Sequence, residues 1–168
     1  MIHKPHHVNY VVSDLDRSIA FYREILGFTL IQDSLRENLP SYDALMGVKG
    51  VRLRVALFEM PNSEILLELF QFFHPAAIVQ KVTFHAIGSS HLALEIRGLD
   101  ELYAKIVAGG SHTVAPPVDI FRDGLLMARG MYALDPDGIV IEMFEPNDEG
   151  KRHIPGFQNV SEVKLNIE

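Results

Sequence analysis

Apolar and polar side chains alternate along two stretches of the chain, residues 7–12 and 91–96, as they do in strands with one buried face. After each stretch the apolar residues change to a spacing of three and four, over residues 15–26 and 99–106. That spacing places them on one face of a helix. Both regions therefore predict a strand followed by a turn and a helix.

The two regions are copies of one pattern. With an offset of 84 residues, His7 falls on His91. With an offset of 74, two later strand-like segments align, and Glu68 falls on Glu142 inside apolar surroundings. A pattern written twice predicts two similar structural modules.

Each half has room for two further strands between its helix and its last strand. The third strand of each half is clear, at residues 51–58 and 125–134, whereas the second is short, at residues 29–34 and 113–115. Each half therefore has the order strand, helix and three strands. This order predicts an α+β fold of two βαβββ modules.

Local signals mark the ends of the helices. Ser13 and Asp16 have the spacing of a capping box, which predicts the start of the first helix near Ser13. Gly27 predicts the end of that helix, and Gly109-Gly110 the end of the second. Hairpin turns are expected between the last two strands of each half, at residues 61–63 and 135–138.

The length of 168 residues fits one compact domain, or two small halves that share a core. We expect a single domain over residues 1–146, with a polar tail over 147–168. The first module spans about residues 5–72 and the second about 88–146. The connections over residues 35–50 and 72–90 are long, as in lids, binding loops or oligomer contacts.

The histidine and glutamate of each half are the candidate chemistry. His7 and His91 open apolar strands, and Glu68 and Glu142 sit within others. An unpaired ionised carboxylate there costs several kcal/mol unless a counter-charge, a proton or a metal compensates it. One divalent ion bound by all four side chains would compensate the charge of both carboxylates. Imidazole and carboxylate ligands without sulfur suit Ni, Co, Mn, Fe or Zn.

The same four residues could instead have a structural role without a metal. A strand histidine is commonly a hydrogen-bonded core or rim residue, and a buried glutamate is commonly paired with a cation. Here Arg54 or Arg129 could supply that cation. The equivalent placement of all four residues in the two halves favours the metal.

Composition narrows the function classes. The chain has no cysteine, which excludes disulfides and thiolate ligands. A formal charge of -7 without a basic stripe argues against a nucleic-acid partner. No apolar run approaches the length of a membrane helix and no leader is recognised, so we expect a cytoplasmic protein that does not enter membranes.

Several segments resemble the vicinal oxygen chelate superfamily, which includes glyoxalase I, methylmalonyl-CoA epimerase, extradiol dioxygenases, fosfomycin-modifying enzymes and bleomycin-binding proteins. The resemblance covers most of residues 5–146. The matching segments are His7-Val8, residues 12–22, Leu26-Gly-Phe28, the Glu68 strand, Gly88-Ser-Ser-His91, and Asp135-Pro-Asp-Gly138 with Glu142.

The resemblance implies that the two modules form an incomplete barrel around a metal-binding cleft. It implies one divalent metal ion held by His7, Glu68, His91 and Glu142, a small-molecule substrate, and a homodimer. The modules could meet within one chain or across the dimer. No organic cofactor is implied.

The complete ligand set resembles the glyoxalase I and epimerase branches best. Such enzymes move a proton next to a metal-bound carbonyl or vicinal diol, and Glu68 or Glu142 would act as the base. We therefore expect an epimerase, isomerase or lyase. The alternatives are a non-catalytic ligand-binding or antibiotic-resistance protein and an Fe(II) dioxygenase.

Five further residues are weaker candidates for a substrate pocket. Arginine and tyrosine could orient a polar substrate, and methionine and phenylalanine could form apolar walls, although packing explains such side chains equally well. These residues are Arg54, Arg129, Tyr132, Met127 and Phe70.

Overall fold

The computed structural model describes residues 1–79 and 84–153, so the end of the predicted tail, residues 154–168, lies outside the described residues. The described chain divides into two compact units. The first holds Met1–Ser89 with Asp135–Ile139, and the second holds Ser90–Leu134 with the described residues from Val140 onward. Each unit contains strands and few helices, which confirms the predicted α+β class.

The first unit is built on a sheet of four strands. Its described elements are β1 (His7–Val11), α1 (Leu15–Ala20), which continues into a π-helical turn (Phe21–Ile25), β2 (Thr29–Arg36), α2 (Pro40–Met46), β3 (Arg52–Glu59) and β4 (Leu66–His74). The strands form one sheet in the order β1-β4-β3-β2. The edge strand β1 runs parallel to β4, whereas β4 with β3 and β3 with β2 are antiparallel pairs.

One face of this sheet is closed by α1. On this face Phe58 of β3 lies opposite Leu67 of β4, and both are fully buried. Tyr22, in the π-helical turn, contacts Phe58 with ring centroids 6.0 Å apart, and Tyr22 and Leu15 of α1 are also fully buried. The helical pattern of the sequence therefore identified the packing surface of α1 correctly.

The predicted capping box at Ser13 is wrong. The helix cap is Asp14, whose Oδ1 accepts the amide of Arg17 at 3.1 Å. Ser13 instead donates its backbone amide and hydroxyl to the carboxylate of Asp137, in the turn before the last strand. Because a distant carboxylate binds Ser13, the capping role moves to the next acceptor along the chain.

The end of the first helix follows the prediction. The helix widens into a π-helical turn, where the amide of Leu26 donates to the carbonyl of Phe21 at 3.3 Å. Gly27 then takes a φ of +75°, a conformation that glycine adopts without steric cost.

Ser18 is a buried polar residue of α1. Its side chain is fully buried, and its hydroxyl has no hydrogen-bond partner among the described residues. An unsatisfied buried hydroxyl costs about 1–3 kcal/mol, and alanine is the better helix former. We expect Ser18→Ala to raise the free energy of unfolding by about 1 kcal/mol, measured by urea denaturation. An unchanged or lower midpoint would contradict this expectation.

The turn between the last two strands belongs to the first unit. Asp135, which is 4% exposed, accepts the amides of Asp137 and Ile139 and the hydroxyl of Tyr22. Burial raises the pKa of Asp135, and these hydrogen bonds offset part of that rise. The turn is therefore tied to the core beneath α1.

The long connection over residues 35–50 contains α2. Asp43 accepts the amides of Gly50 and Val51, each at 2.8 Å, and these bonds lower its pKa. The helix packs on the sheet face opposite α1, because its side chains contact residues that share a face with Phe70. The buried cluster on this face is Val51, Leu53 and Val55, and the residues packed against it are Tyr42, Met46, Val48, Phe70 and Phe72.

The second unit repeats the arrangement with three changes: its second strand is split, its described part has no counterpart of α2, and a further helix follows its last strand. Its described elements are β5 (Leu92–Glu95), α3 (Leu99–Ala108), β6 (His112–Thr113), β7 (Val118–Arg122), β8 (Leu125–Leu134), β9 (Val140–Pro146) and α4 (Asp148–His153). The sheet order is β5-β9-β8-β6, and β7 also pairs with β8. The pairing of β5 with β9 is parallel, like that of β1 with β4.

The second strand of this unit is two short strands, β6 and β7, rather than the single one predicted at residues 113–115. Pro116 and Pro117 separate them. Proline has no amide hydrogen to donate to a neighbouring strand, so the ladder stops there and resumes at Val118.

The core of the second unit lies between α3 and its sheet. The predicted helical stripe is confirmed, since Leu99 and Ile106 are fully buried, and the helix ends just before Gly109. Ile141 and Met143 are buried residues of β9, on either side of Glu142 in sequence. Glu142 therefore points to the other face of the sheet.

α4 lies in the predicted tail and rests on β8. The side-chain amide of Asn147 donates to the carbonyl of Leu126 at 2.6 Å, and its backbone amide donates to that of Met127 at 3.1 Å. A Cβ at Gly150 would stand 1.8 Å from the Met127 carbonyl oxygen, so only glycine fits there.

No helix in residues 1–79 or 84–153 combines the length and the apolar character that crossing a bilayer requires.

Candidate metal centre

The first histidine and glutamate form a pair within the first unit. His7 is the first residue of β1, and Glu68 lies in the neighbouring parallel strand β4. The His7 Nε2 and Glu68 Oε2 atoms are 3.4 Å apart. Both side chains reach solvent, with 41% of His7 and 18% of Glu68 exposed, so an ion can approach them.

Two neighbours complete this pair. The side-chain amide of Asn9 donates to Glu68 Oε2 at 3.2 Å, because Asn9 and Glu68 are register partners. The Nδ1 atoms of His6 and His7 are 2.8 Å apart, so one ring donates to the other. Neither role was predicted from the sequence. The position of Asn9, two residues after His7 and on the same strand face, was the available signal.

The second histidine and glutamate form an equivalent pair within the second unit. His91 Nε2 lies 2.8 Å from Glu142 Oε2. Tyr132 of β8 is the register partner of Glu142, and its ring stands edge-on to His91 with centroids 5.6 Å apart. Burial raises the pKa of the Tyr132 phenol, and the Glu142 carboxylate adds to the rise. Tyr132 therefore shares the face of the second pair.

The distances within the pairs suit adjacent ligands of one ion. Two donors at about 2.1 Å from a metal are about 3.0 Å apart at a right angle and about 3.4 Å apart at a tetrahedral angle. The observed separations are 3.4 Å and 2.8 Å. Imidazole nitrogen and carboxylate oxygen also form a donor set for first-row divalent metals. Each pair thus supplies two fitting ligands.

Neither unit provides a complete site by itself. Within the described ranges, no group of three or more histidine, aspartate or glutamate side chains is gathered in a way that could hold a metal ion. Two protein ligands are fewer than resident divalent metals normally have. Each unit by itself supplies two of the four predicted ligands.

The two arginines expected at the pocket are engaged with carboxylates elsewhere. Arg54 binds Asp33 at 2.6 Å and Asp16 at 2.9 Å. By strand parity its side chain lies on the α1 face, whereas Glu68 lies on the other. Arg54 therefore acts as an ion-pair partner and not as a pocket residue. Its partners are the aspartates Asp33 and Asp16, and Glu68 is not one of them.

Arg129 follows the same arrangement in the second unit. It binds Asp100, at the start of α3, at 2.6 Å and 2.9 Å, with Asp119 at 3.5 Å. Its register partner is Glu145, on the face opposite Glu142. In both units, therefore, an arginine of the sheet fastens the helix through its first-turn aspartate, Asp16 or Asp100.

The other pocket candidates fall on different faces. Phe70 lies two residues from Glu68 on the same face, where it contacts Phe72 edge-on. Met127 is 4% exposed and shares the parity of Met131, which lies opposite Met143 in the core. Phe70 and Tyr132 are thus the candidates that accompany the glutamates.

An open hollow of about 780 Å³ lies at the hairpin between β3 and β4, and neither His7 nor Glu68 lines it. It includes Leu66, the register partner of His7. Its lining residues are Lys4, Thr29, Glu59, Met60, Pro61, Asn62, Ser63, Glu64 and Leu66.

The sequence is similar to those of several known proteins. The chain is 31% identical over 140 residues to the uncharacterized protein YwkD of Bacillus subtilis (strain 168), and the aligned region covers 83% of this chain and 94% of that protein. It is 27% identical over 171 residues to the 2-epi-5-epi-valiolone epimerase of Actinomyces sp, which covers 95% and 86%. A lactoylglutathione lyase of Salmonella typhimurium is also 27% identical, over 147 residues, covering 86% and 94%.

Solved structures share the fold. A glyoxalase family protein from Bacillus cereus superimposes with a TM-score of 0.77 at 22% identity, over 87% of this chain and 95% of that one. A mutant of the fosfomycin resistance protein FosX of Listeria monocytogenes, complexed with Mn(II) and 1S,2S-dihydroxypropylphosphonic acid, gives a TM-score of 0.61 at 20% identity, over 90% and 98%.

The family model of these proteins matches residues 4–143, which include both histidine–glutamate pairs and nearly all the strands. The chain belongs to the Glyoxalase/Bleomycin resistance protein/Dioxygenase superfamily.

Proposed function

We propose that the protein is a metal-dependent epimerase, isomerase or lyase that moves a proton next to a carbonyl or a vicinal diol. One observation carries the proposal: two histidine–glutamate pairs stand at equivalent places in the two units, with donor atoms 3.4 Å and 2.8 Å apart. Relatives named as an epimerase and a lactoylglutathione lyase support this reaction class.

His7, Glu68, His91 and Glu142 would hold the ion. The bound divalent metal, one of Ni, Co, Mn, Fe or Zn, supplies Lewis-acid chemistry that acidifies a neighbouring C–H bond. The Mn(II) in the FosX complex supports a metal of this group. We also propose that the protein forms a homodimer.

The protein's own groups would carry the proton. A carboxylate oxygen of Glu68 or Glu142 takes the proton from the substrate carbon. In epimerisation one of the two carboxylates would take the proton and the other, protonated, would deliver a proton to the opposite face of the same carbon. In isomerisation one carboxylate would take the proton and return it to a neighbouring carbon.

Metal content and proton exchange together test the proposal. We expect about one divalent metal per chain when the protein is purified without chelator and measured by elemental analysis. In heavy water, a substrate among 2-oxo compounds, thiohemiacetals, acyl-CoA thioesters and cyclitols should gain deuterium at the carbon beside the oxygen. Exchange should stop when the metal is removed and resume when it is restored.

Other outcomes identify the alternatives. Bound metal with oxygen uptake on substrate addition would support a dioxygenase. Ligand binding without deuterium incorporation in any of these substrate classes would support a binding or resistance protein. Either result would contradict the proposed proton transfer.

A further inference from the structure

We propose that Asn9 and His6 are positioning residues that hold Glu68 and His7 in ligand geometry, and that the first unit is thereby the anchoring half of the metal site. The inference rests on the function proposed above. The two halves would then differ in how firmly their ligands are oriented, although the ligands themselves are the same.

Asn9 restrains the carboxylate. Its amide donates to Glu68 Oε2 at 3.2 Å, and the same oxygen lies 3.4 Å from His7 Nε2. The contact follows from the register, which sets Asn9 directly beside Glu68 in parallel strands. One oxygen of Glu68 is therefore directed toward His7 before an ion binds, which reduces the ordering that binding requires.

His6 restrains the imidazole. The Nδ1 atoms of His6 and His7 are 2.8 Å apart and form a hydrogen bond, and the ring of His6 stands edge-on to that of His7. With the hydrogen on His7 Nδ1, the Nε2 lone pair is free to bind an ion beside Glu68. Metal-binding histidines commonly use one ring nitrogen while a neighbouring group holds the other, and loss of that group weakens affinity.

The second unit has neither residue at the equivalent places. The offset of 84 sets Ser90 in the place of His6 and Ala93 in the place of Asn9. Ala93 is the register partner of Glu142, as Asn9 is of Glu68, yet its side chain has no donor. The two units thus offer the same ligands but hold them differently.

Metal affinity and the spectrum of bound cobalt test the inference. We expect Asn9→Ala and His6→Ala each to raise the Kd for Zn²⁺ about tenfold, measured by competition with a chromophoric chelator. Ser90→Ala, the matched control, should leave the Kd unchanged. Ala93→Asn should lower the Kd about fivefold, by one added hydrogen bond. The visible bands of bound Co²⁺ should shift in Asn9→Ala and keep their wild-type positions in Ser90→Ala.

Asn9→Leu separates positioning from packing. Leucine keeps the size of asparagine without its donor, so its Kd and Co²⁺ spectrum should match those of Asn9→Ala. Wild-type affinity and spectrum in Asn9→Leu would overturn the inference, and so would equal losses in Ser90→Ala and His6→Ala. These results would leave the proposed function intact, whereas a wild-type protein without bound metal would overturn both.

Discussion

Replacing Glu142 by alanine should lower the affinity for the divalent metal by at least about 100-fold, because losing a direct ligand costs more than losing a group that only orients one. The carboxylate lies 2.8 Å from His91, and the two together are the ligands that the second unit would contribute. Protein purified without chelator should lose nearly all of its metal, as elemental analysis would show.

Two further variants make this result specific. Glu142→Gln keeps the shape but removes the charge, so its metal content should fall almost as far as that of Glu142→Ala. Glu101→Ala removes a carboxylate from the first turn of α3 in the same unit and should keep wild-type metal content. Full metal occupancy in Glu142→Ala would exclude Glu142 as a ligand and with it the four-ligand site.

Replacing Asp135 by alanine should lower the free energy of unfolding by about 3 kcal/mol, measured by urea denaturation at neutral pH. The buried carboxylate accepts two backbone amides at 2.8 Å and the Tyr22 hydroxyl at 3.2 Å. Alanine leaves these donors unsatisfied, at about 1 kcal/mol or more for each. Tyr22→Phe removes one of the three bonds and should cost about 1 kcal/mol.

Asp135→Asn separates hydrogen bonding from charge. Burial raises the pKa of Asp135, so from about pH 4 up to the raised pKa the folded state binds more protons than the unfolded state. Wild-type stability therefore falls, through this residue, as the pH rises across that window. Asparagine does not titrate, so the stability deficit of Asp135→Asn relative to wild type should be smaller at pH 7 than near about pH 4.5. A deficit independent of pH would contradict the raised pKa.

Much of the fold follows from local patterns. The spacing of three and four in α1 and α3 predicted their buried faces, since the same periodicity decides which side chains can leave water together. The repeat located Glu68 and Glu142, because both units share the parallel pairing of their first and last strands. That pairing brings each glutamate into contact with a histidine from the start of its module.

Long-range contacts decided what local patterns could not. Ser13 had a helix-capping pattern, but Asp137 binds it, and Asp14 became the cap. Arg54 and Arg129 lie on strands next to those of the glutamates, yet strand parity turns them to the helix face. Such competition between partners depends on positions in space that sequence spacing does not encode.

By itself, the sequence determined the two βαβββ modules and the four candidate ligands, because hydrophobic periodicity and an internal repeat are written along the chain. Only the tertiary structure decided how those ligands are held. Asn9 and Ala93 occupy equivalent positions, and both were readable in sequence, but the amide contact to Glu68 exists only once β1 and β4 pair in register. Hydrogen bonds of this kind need atoms within about 3 Å, a precision that folding provides and periodicity does not.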